Sequence, residues 1–305
     1  MGIALGPNQY GKAETRVVRV GRDGDEHEIK DLSVSIALSG DMESVHLTGD
    51  NSAVLTTDAQ KNTVFAFARK HGIASAEEFA LLLAQHFVNS QRTVHRARLS
   101  VEEYVWDRIP VTGHSFVRRG QEIRTARVSH DGERRTVVSG LRDLIVLNST
   151  GSEFHGFLKD EYTTLAETRE RVLATAVDAE WRHVPGGPDR TDPSGPSGPS
   201  RPSGPSGWDA SYAMVRGLLL ETFARTHSLS LQQTLYVMGR RVLVECPLIC
   251  EVRLSMPNRH HFPVDLEPFG MDNPNEVFYA ADRPYGLIEG TVLRDDLPAA
   301  PEAWW

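Results

Sequence analysis

Leu32-Ser33-Val34-Ser35-Ile36-Ala37-Leu38 alternates apolar and small residues without a break. Period two held over seven residues marks a strand with one buried face. Residues 15–20, just before it, alternate in the same way and open a strand. After it, Ser75-x-x-Glu78 has the form of a capping box. It leads into Phe79, Leu82, Leu83, His86 and Phe87, an apolar stripe at helical spacing. Strand-like stretches follow at residues 93–99, 102–106 and 115–117. Strands, then helix, then strands predict the α+β class, with antiparallel sheets whose helices pack on one face, rather than a doubly wound fold.

The second half repeats that order. Residues 136–139 and 141–147 read as a hairpin pair of strands. Thr164-x-x-Glu167 is placed to cap a helix carrying Leu165, Val172 and Leu173. A further helix carries Val215, Leu218, Leu219 and Phe223. Ser230-x-x-Gln233 caps another, with Leu231, Leu235, Met238 and Val242 on one face. Residues 249–256 and 287–293 read as strands. The repeat predicts two domains, 1–132 and 133–305, divided at the turn Asp131-Gly132. Each sheet would keep one face uncovered by helices, which predicts association through sheets or their edges. Residues 185–207 hold seven of the 17 prolines in a Pro/Gly/Ser tract. With nothing to bury, this tract is expected to be a disordered insertion.

Composition narrows the classes. The chain has 305 residues, 40% hydrophobic and 24% charged, enough to bury one large or two medium cores. Its formal charge of -8 argues against a nucleic-acid partner, which calls for a basic surplus. Two cysteines, Cys246 and Cys250, exclude a disulfide scaffold. Their spacing and the scattered histidines predict no metal site. No apolar run is long enough to span a bilayer, so no membrane association is expected. Residues 1–12 lack the apolar core of a secretory signal and the last three residues are not a peroxisomal address. A cytoplasmic location is the expectation.

Four polar clusters interrupt this framework: residues 8–12, 56–63, 156–164 with Phe154 before them, and 256–262. Each alone reads as a turn or a cap. In order, however, they carry Tyr10-Gly-Lys12; Thr57-Asp58 with Lys61-Asn62-Thr63; and Phe154-x-Gly-Phe-Leu-x-Asp-Glu-Tyr-Thr-Thr164, continuing to Glu167-Thr168 and Arg171. Leu231-Gln232 and Pro257-Asn258-x-His260 follow. In this ordered set the chain resembles the urate oxidase (uricase) family from Tyr10 to about residue 294, the Pro/Gly/Ser tract excepted.

That resemblance implies tandem tunnelling-fold (T-fold) domains and a homotetramer with active sites at subunit interfaces. It implies oxidation of urate by O2 with no metal or organic cofactor. By position, Phe154 matches the aromatic that stacks on the purine, and Arg171 and Gln232 match the pair that grips its polar edge. Leu231, where the family usually has valine, matches a residue that offers its backbone N–H. Thr57 and Asp58 match residues donated by the neighbouring chain, and Asn258 matches the amide above the face where dioxygen and water bind. Lys12, Thr57 and His260 match the proton-relay set. The residue types suit this chemistry: an arginine fork and an amide read carbonyls and ring nitrogens in one plane. Two other readings stay open, a hydrolytic T-fold enzyme acting on a purine or pterin and a non-catalytic purine-binding protein.

Overall fold

The computed structural model describes residues 1–22, 24–188, 207–298 and 300–304. Most of the Pro/Gly/Ser tract, residues 189–206, lies outside the described residues. The described chain divides into two compact units. The first comprises Met1–Gly140, Arg182–Tyr212 and Asp296–Trp305; the second comprises Leu141–Trp181 and Ala213–Asp295. Both are strands and helices in the α+β manner.

In the first unit the strand read at 15–20 extends to β1 (Tyr10–Gly21) and the alternating segment to β2 (Glu28–Gly40). Leu32, Val34, Ile36 and Leu38 are all at most 4% exposed, whereas Ser33, Ser35 and Ala37 point the other way. α1 (Glu43–Leu47) and α2 (Thr57–His71) follow, and α2 stops at Gly72, whose φ of 78° only glycine adopts without strain. α3 (Ala76–Ser90) starts where the capping box places it, with the Ser75 hydroxyl accepting from the Glu78 N–H at 3.2 Å. Phe79, Leu83 and Phe87 fill the core, while Leu82 and His86 are half-buried at its edge.

β3 (Val94–Glu103) runs straight through the gap expected between residues 99 and 102. β4 (Trp106–Arg108) and β5 (Phe116–Arg118) pair with each other in a separate ribbon. β6 (Ile123–His130) and β7 (Arg135–Asn148) complete the order β1-β2-β3-β6-β7. The Asp131-Gly132 turn joins β6 to β7: the Asp131 carboxylate accepts from the Glu133 and Arg134 N–H groups, and Gly132 has φ 94°.

Two expectations need correction. Residues 136–139 and 141–147 are not a hairpin but one strand, β7. Gly140 between them is buried and has no positive φ, so it continues the strand instead of reversing it. The irregularity sits at Asp143, whose φ is 58° and whose N–H is taken by Asp178 at 2.9 Å. Nor does Thr164-x-x-Glu167 start a helix. Phe154 and Thr168 exchange backbone hydrogen bonds of 2.8 and 3.0 Å, which closes residues 154–168 into a loop. Glu167 pairs with Lys159 at 3.0 Å rather than with a helix N-terminus. Leu173 then opens β8 (Leu173–His183), buried along most of its length.

In the second unit, β8 pairs with β9 (Ile249–Ser255) and with β10 (Asn258–Pro263). β10 pairs with β11 (Phe278–Gly286), and β9 with β12 (Glu289–Leu293). β11 was not legible: Asp282, Arg283 and Pro284 erase the alternation. α4 (Gly207–Arg225) buries Val215, Leu219 and Phe223. α5 (Leu231–Glu245) buries the expected stripe of Leu231, Leu235, Met238 and Val242. It lies close on β9 and β12 because position 239 is glycine: a methyl there would come 2.7 Å from the Val292 side chain.

The first unit also contains a buried polar cluster. Arg124 on β6 bonds Glu77 at 2.7 Å and Asp209 at 2.6 Å, with Glu103 at 3.5 Å. Burial opposes the Arg124 charge, but Glu77, Glu103 and Asp209 outweigh it and hold the guanidinium pKa above its usual value. The Ser139 hydroxyl donates to Glu77 at 2.7 Å and lies 2.9 Å from His183 Nε2. Having given its proton to Glu77, Ser139 can only accept from His183, so the imidazole is the neutral Nε2–H tautomer. Among the described residues its Nδ1 has no hydrogen-bond partner, and burial pushes its pKa down from 6.5 to about 3.

The unfolded chain binds a proton at His183 near pH 6.5 and the folded chain does not, so the contribution to stability is full above that pH. It is lost as pH falls towards 3, at about 1.4 kcal/mol per pH unit. The stability difference between wild type and His183→Gln, measured by urea unfolding at pH 7.5, 6 and 5, is expected to narrow on acidification. A difference independent of pH would contradict the neutral buried imidazole.

Candidate functional site

The matched residues fall into two sets, one in each unit. In the first unit, Tyr10 on β1 accepts the Leu55 N–H at 2.9 Å and so pins the segment leading into α2 against β1. Lys12 follows two residues later, opposite Ile36. The register shifts between Lys12 and Thr15, where Glu14 adopts φ 54° and donates its N–H to Ser35 at 2.9 Å. That bulge re-aims the strand beside Lys12.

Thr57 is the first residue of α2, behind an N-cap Thr56 that accepts from Ala59 at 3.1 Å. Residues 56–63 are therefore a cap and the helix's own first turns. Asp58 is exposed and holds Lys61 at 2.5 Å and Asn62 at 3.0 Å. Lys61 lowers its pKa most, and the Lys12 charge adds to the effect. Lys12 on β1 and Thr57 and Asp58 at the start of α2 thus lie in the same unit, with the Lys12 charge felt at Asp58.

In the second unit, Arg171 lies just before β8. Its N–H and its Nε both bond Ser152, at 3.0 Å each, and its guanidinium carbon stands 5.2 Å from the centre of the Phe154 ring. Phe154 stacks on Phe157 at 5.0 Å. Among the described residues no carboxylate pairs with Arg171, and burial lowers its pKa. His260 lies on β10; burial, and after it the Arg171 charge, hold its pKa below the usual value. His261, next to it, bonds the Arg259 carbonyl at 3.0 Å. Asn258 opens β10 opposite Thr175 of β8 and Gly286 of β11, with a register shift immediately after it.

Leu231 and Gln232 are the first two residues of α5. Ser230 caps this helix: its hydroxyl takes the Gln233 N–H at 3.1 Å and its carbonyl takes that of Thr234 at 3.1 Å. The N–H groups of Leu231 and Gln232 have no intrahelical acceptor, as in any first turn, and face outward with the positive end of the helix. Leu231 is buried and Gln232 exposed, so the first anchors the turn and the second presents its amide.

The residues that join these pieces were not found in the sequence. Ser152 bridges Ser228, and Thr234 donates to the Ser228 hydroxyl at 2.8 Å; all three are fully buried. Glu153 accepts from His227 at 2.6 Å and His155 at 2.9 Å. Together they fasten the Phe154–Arg171 loop to the start of α5. The available signal was a run of small hydroxyl residues, each within a few positions of a matched residue.

A family model described as Uricase matches residues 8–129 and 137–289. The chain is 51% identical to a uricase of Arthrobacter globiformis over 302 residues, 99% of this chain and 94% of that protein. It is 35% identical to a uricase of Dictyostelium discoideum over 295 residues, 94% of this chain and 96% of that one. The crystal structure of the Arthrobacter globiformis uricase superposes with a TM-score of 0.89 at 50% identity, covering 100% of this chain and 99% of that one.

Proposed function

This chain belongs to the uricase family and oxidises urate, and on that premise we propose that it does so with O2 and water and no metal or organic cofactor, yielding 5-hydroxyisourate and hydrogen peroxide. The observation that carries the site assignment is Arg171: half-buried, free of any carboxylate among the described residues, and set against Phe154 and near His260. A guanidinium held without a counter-charge favours a planar anion.

In this reading Phe154 stacks on urate, and Arg171 with Gln232 grips its polar edge. Leu231 offers its first-turn N–H, and Asp58 and Thr57 come from a neighbouring chain of a homotetramer. Lys12 is the base; Thr57, with both a donor and lone pairs, passes the proton on, and His260 completes the relay. Asn258 holds O2 and then the water that displaces peroxide. A closed-shell purine does not react directly with triplet dioxygen, but a deprotonated urate gives up one electron and the radicals recombine. The site then has to remove a proton and stabilise an anion, which these residues do.

The wider setting belongs to the same proposal. The sequence segments 1–132 and 133–305 are each one T-fold repeat, and the enzyme is cytoplasmic; among the described residues no helix is long and apolar enough to cross a membrane. The test is chelator-treated protein incubated with urate. One O2 consumed and one peroxide released per urate lost is the expected result; activity that returns only when a metal is added back would refute the cofactor-free reading.

A further inference from the structure

In the second unit, the two segments that carry the proposed urate-binding residues meet at one carboxylate. Residues 151–154 lie between those segments. On one side Glu153 donates its N–H to the Ser228 carbonyl at 2.8 Å, and Ser228 donates its own to Gly151 at 2.9 Å. On the other side Phe154 exchanges backbone bonds with Thr168, and the Arg171 N–H reaches the Ser152 carbonyl at 3.0 Å. Backbone pairings this short fix a register but leave the angle between segments to the side chains.

Glu153 supplies that constraint. Its Oε1 accepts from Nε2 of His227 at 2.6 Å. Its Oε2 accepts from Nε2 of His155 at 2.9 Å, with Arg169 at 3.6 Å from the same oxygen. The two oxygens therefore serve different segments. His227 precedes Ser230, the cap of α5, and with it Leu231 and Gln232; His155 follows Phe154, and Arg169 precedes Arg171. The Glu153 side chain is only 16% exposed. The bond from His227 does most to hold its pKa below the usual carboxylate range, so it stays ionised and can only accept. Neither Asp160, bonded to Thr163, nor Glu167, paired with Lys159, reaches outside the loop in this way.

We propose that Glu153 is a positioning residue for urate binding: through His227 and His155 it sets the first turn of α5, with Gln232, against Phe154 and Arg171. The inference rests on the assignment of those three residues to urate. An aromatic face, a guanidinium fork and an amide grip one flat purine only if their relative angle is held, and a displacement of about 1 Å at such a site is costly. Lys12 and Thr57 belong to the first unit, so the effect falls on binding and not on proton transfer.

Steady-state kinetics on urate with Glu153→Gln, His227→Gln and the double variant, alongside Arg171→Ala, tests the proposal, with Tm recorded for each. Glu153→Gln keeps the size of the side chain and removes its charge. KM is expected to rise roughly 3–10-fold in either single variant, with kcat within about twofold, as fits the loss of one charge-assisted hydrogen bond partly open to water. The double variant is expected to be no worse than Glu153→Gln, because both changes break the same link. KM unmoved in both single variants, whatever happens to Tm, overturns the proposal, and so do single effects that multiply in the double variant. If KM rises in Arg171→Ala but not in Glu153→Gln, this inference alone falls. KM unmoved in Arg171→Ala as well removes the assignment on which it rests, and the inference with it.

Discussion

Replacing Lys12 by methionine lowers kcat on urate by about 10²–10⁴-fold, the range that loss of a positioned base produces, with KM changed by less than about threefold. Lys12 sits on β1 beside the bulge at Glu14 and near the first turn of α2, where its charge reaches Asp58. Methionine keeps the length of the stem and removes the amine. Arg171→Ala behaves in the opposite way. On the proposed assignment it removes a group that holds urate in ground and transition states alike, so KM is expected to rise and kcat to fall much less. Steady-state kinetics on the two variants separates the roles. Equal effects on kcat and KM in both would contradict the division between a proton-transfer set and a binding set.

The second large effect concerns stability. Arg124→Met strands Glu77, which has no exposed surface, with the Ser139 hydroxyl as its one remaining side-chain partner among the described residues. Breaking one side of a buried ion pair costs about 3–5 kcal/mol, so Tm is expected to fall by roughly 10 °C. Glu103 is affected less because Lys30 holds it at 2.7 Å. The double variant Arg124→Met/Glu77→Gln is expected to lose less than the sum of the single losses, since neither charge is then left alone. A loss below about 1 kcal/mol in Arg124→Met would mean that water reaches Glu77.

The fold was legible where the cue is local and its outcome is single. Alternation in β2, the Ser75 cap of α3 and the Ser230 cap of α5 are set by residues within one or two turns of each other, and each is where the sequence puts it. The failures came where one local pattern has two outcomes. Gly140 inside an apolar run fits a turn or a buried strand, and Thr164-x-x-Glu167 fits a helix cap or a loop. Pairing with distant residues decides both: burial along β7 in the first, and the Phe154–Thr168 bridge with the Lys159–Glu167 pair in the second.

The candidate site divides in the same way. Arg171, Phe154 and Asn258 were singled out only through an ordered resemblance, because each alone reads as a solvated charge, core or turn. What holds them showed in the sequence only as small hydroxyl residues near the matched positions. Ser152, Ser228 and Thr234 are ordinary residues whose importance lies in the partners the fold brings to them, as is the Tyr10 hydroxyl that fixes Leu55 and with it the start of α2. On the proposed assignment the departure from the family at Leu231 costs little for a related reason: the group on offer is the first-turn N–H, which every residue but proline supplies.

In the proposed enzyme one active site draws Lys12, Thr57 and Asp58 from one chain and Phe154, Arg171 and Gln232 from another. Mixing Lys12→Met chains with Arg171→Ala chains, unfolding and refolding them together, and measuring oxygen uptake with urate tests it directly. Each variant alone is nearly inactive under these conditions at low urate. In a random mixture about a quarter of interface sites combine two intact halves, and the account predicts recovery of about that share of wild-type activity. A mixture no more active than its two parents would contradict it and place both sets of residues in the same chain's site.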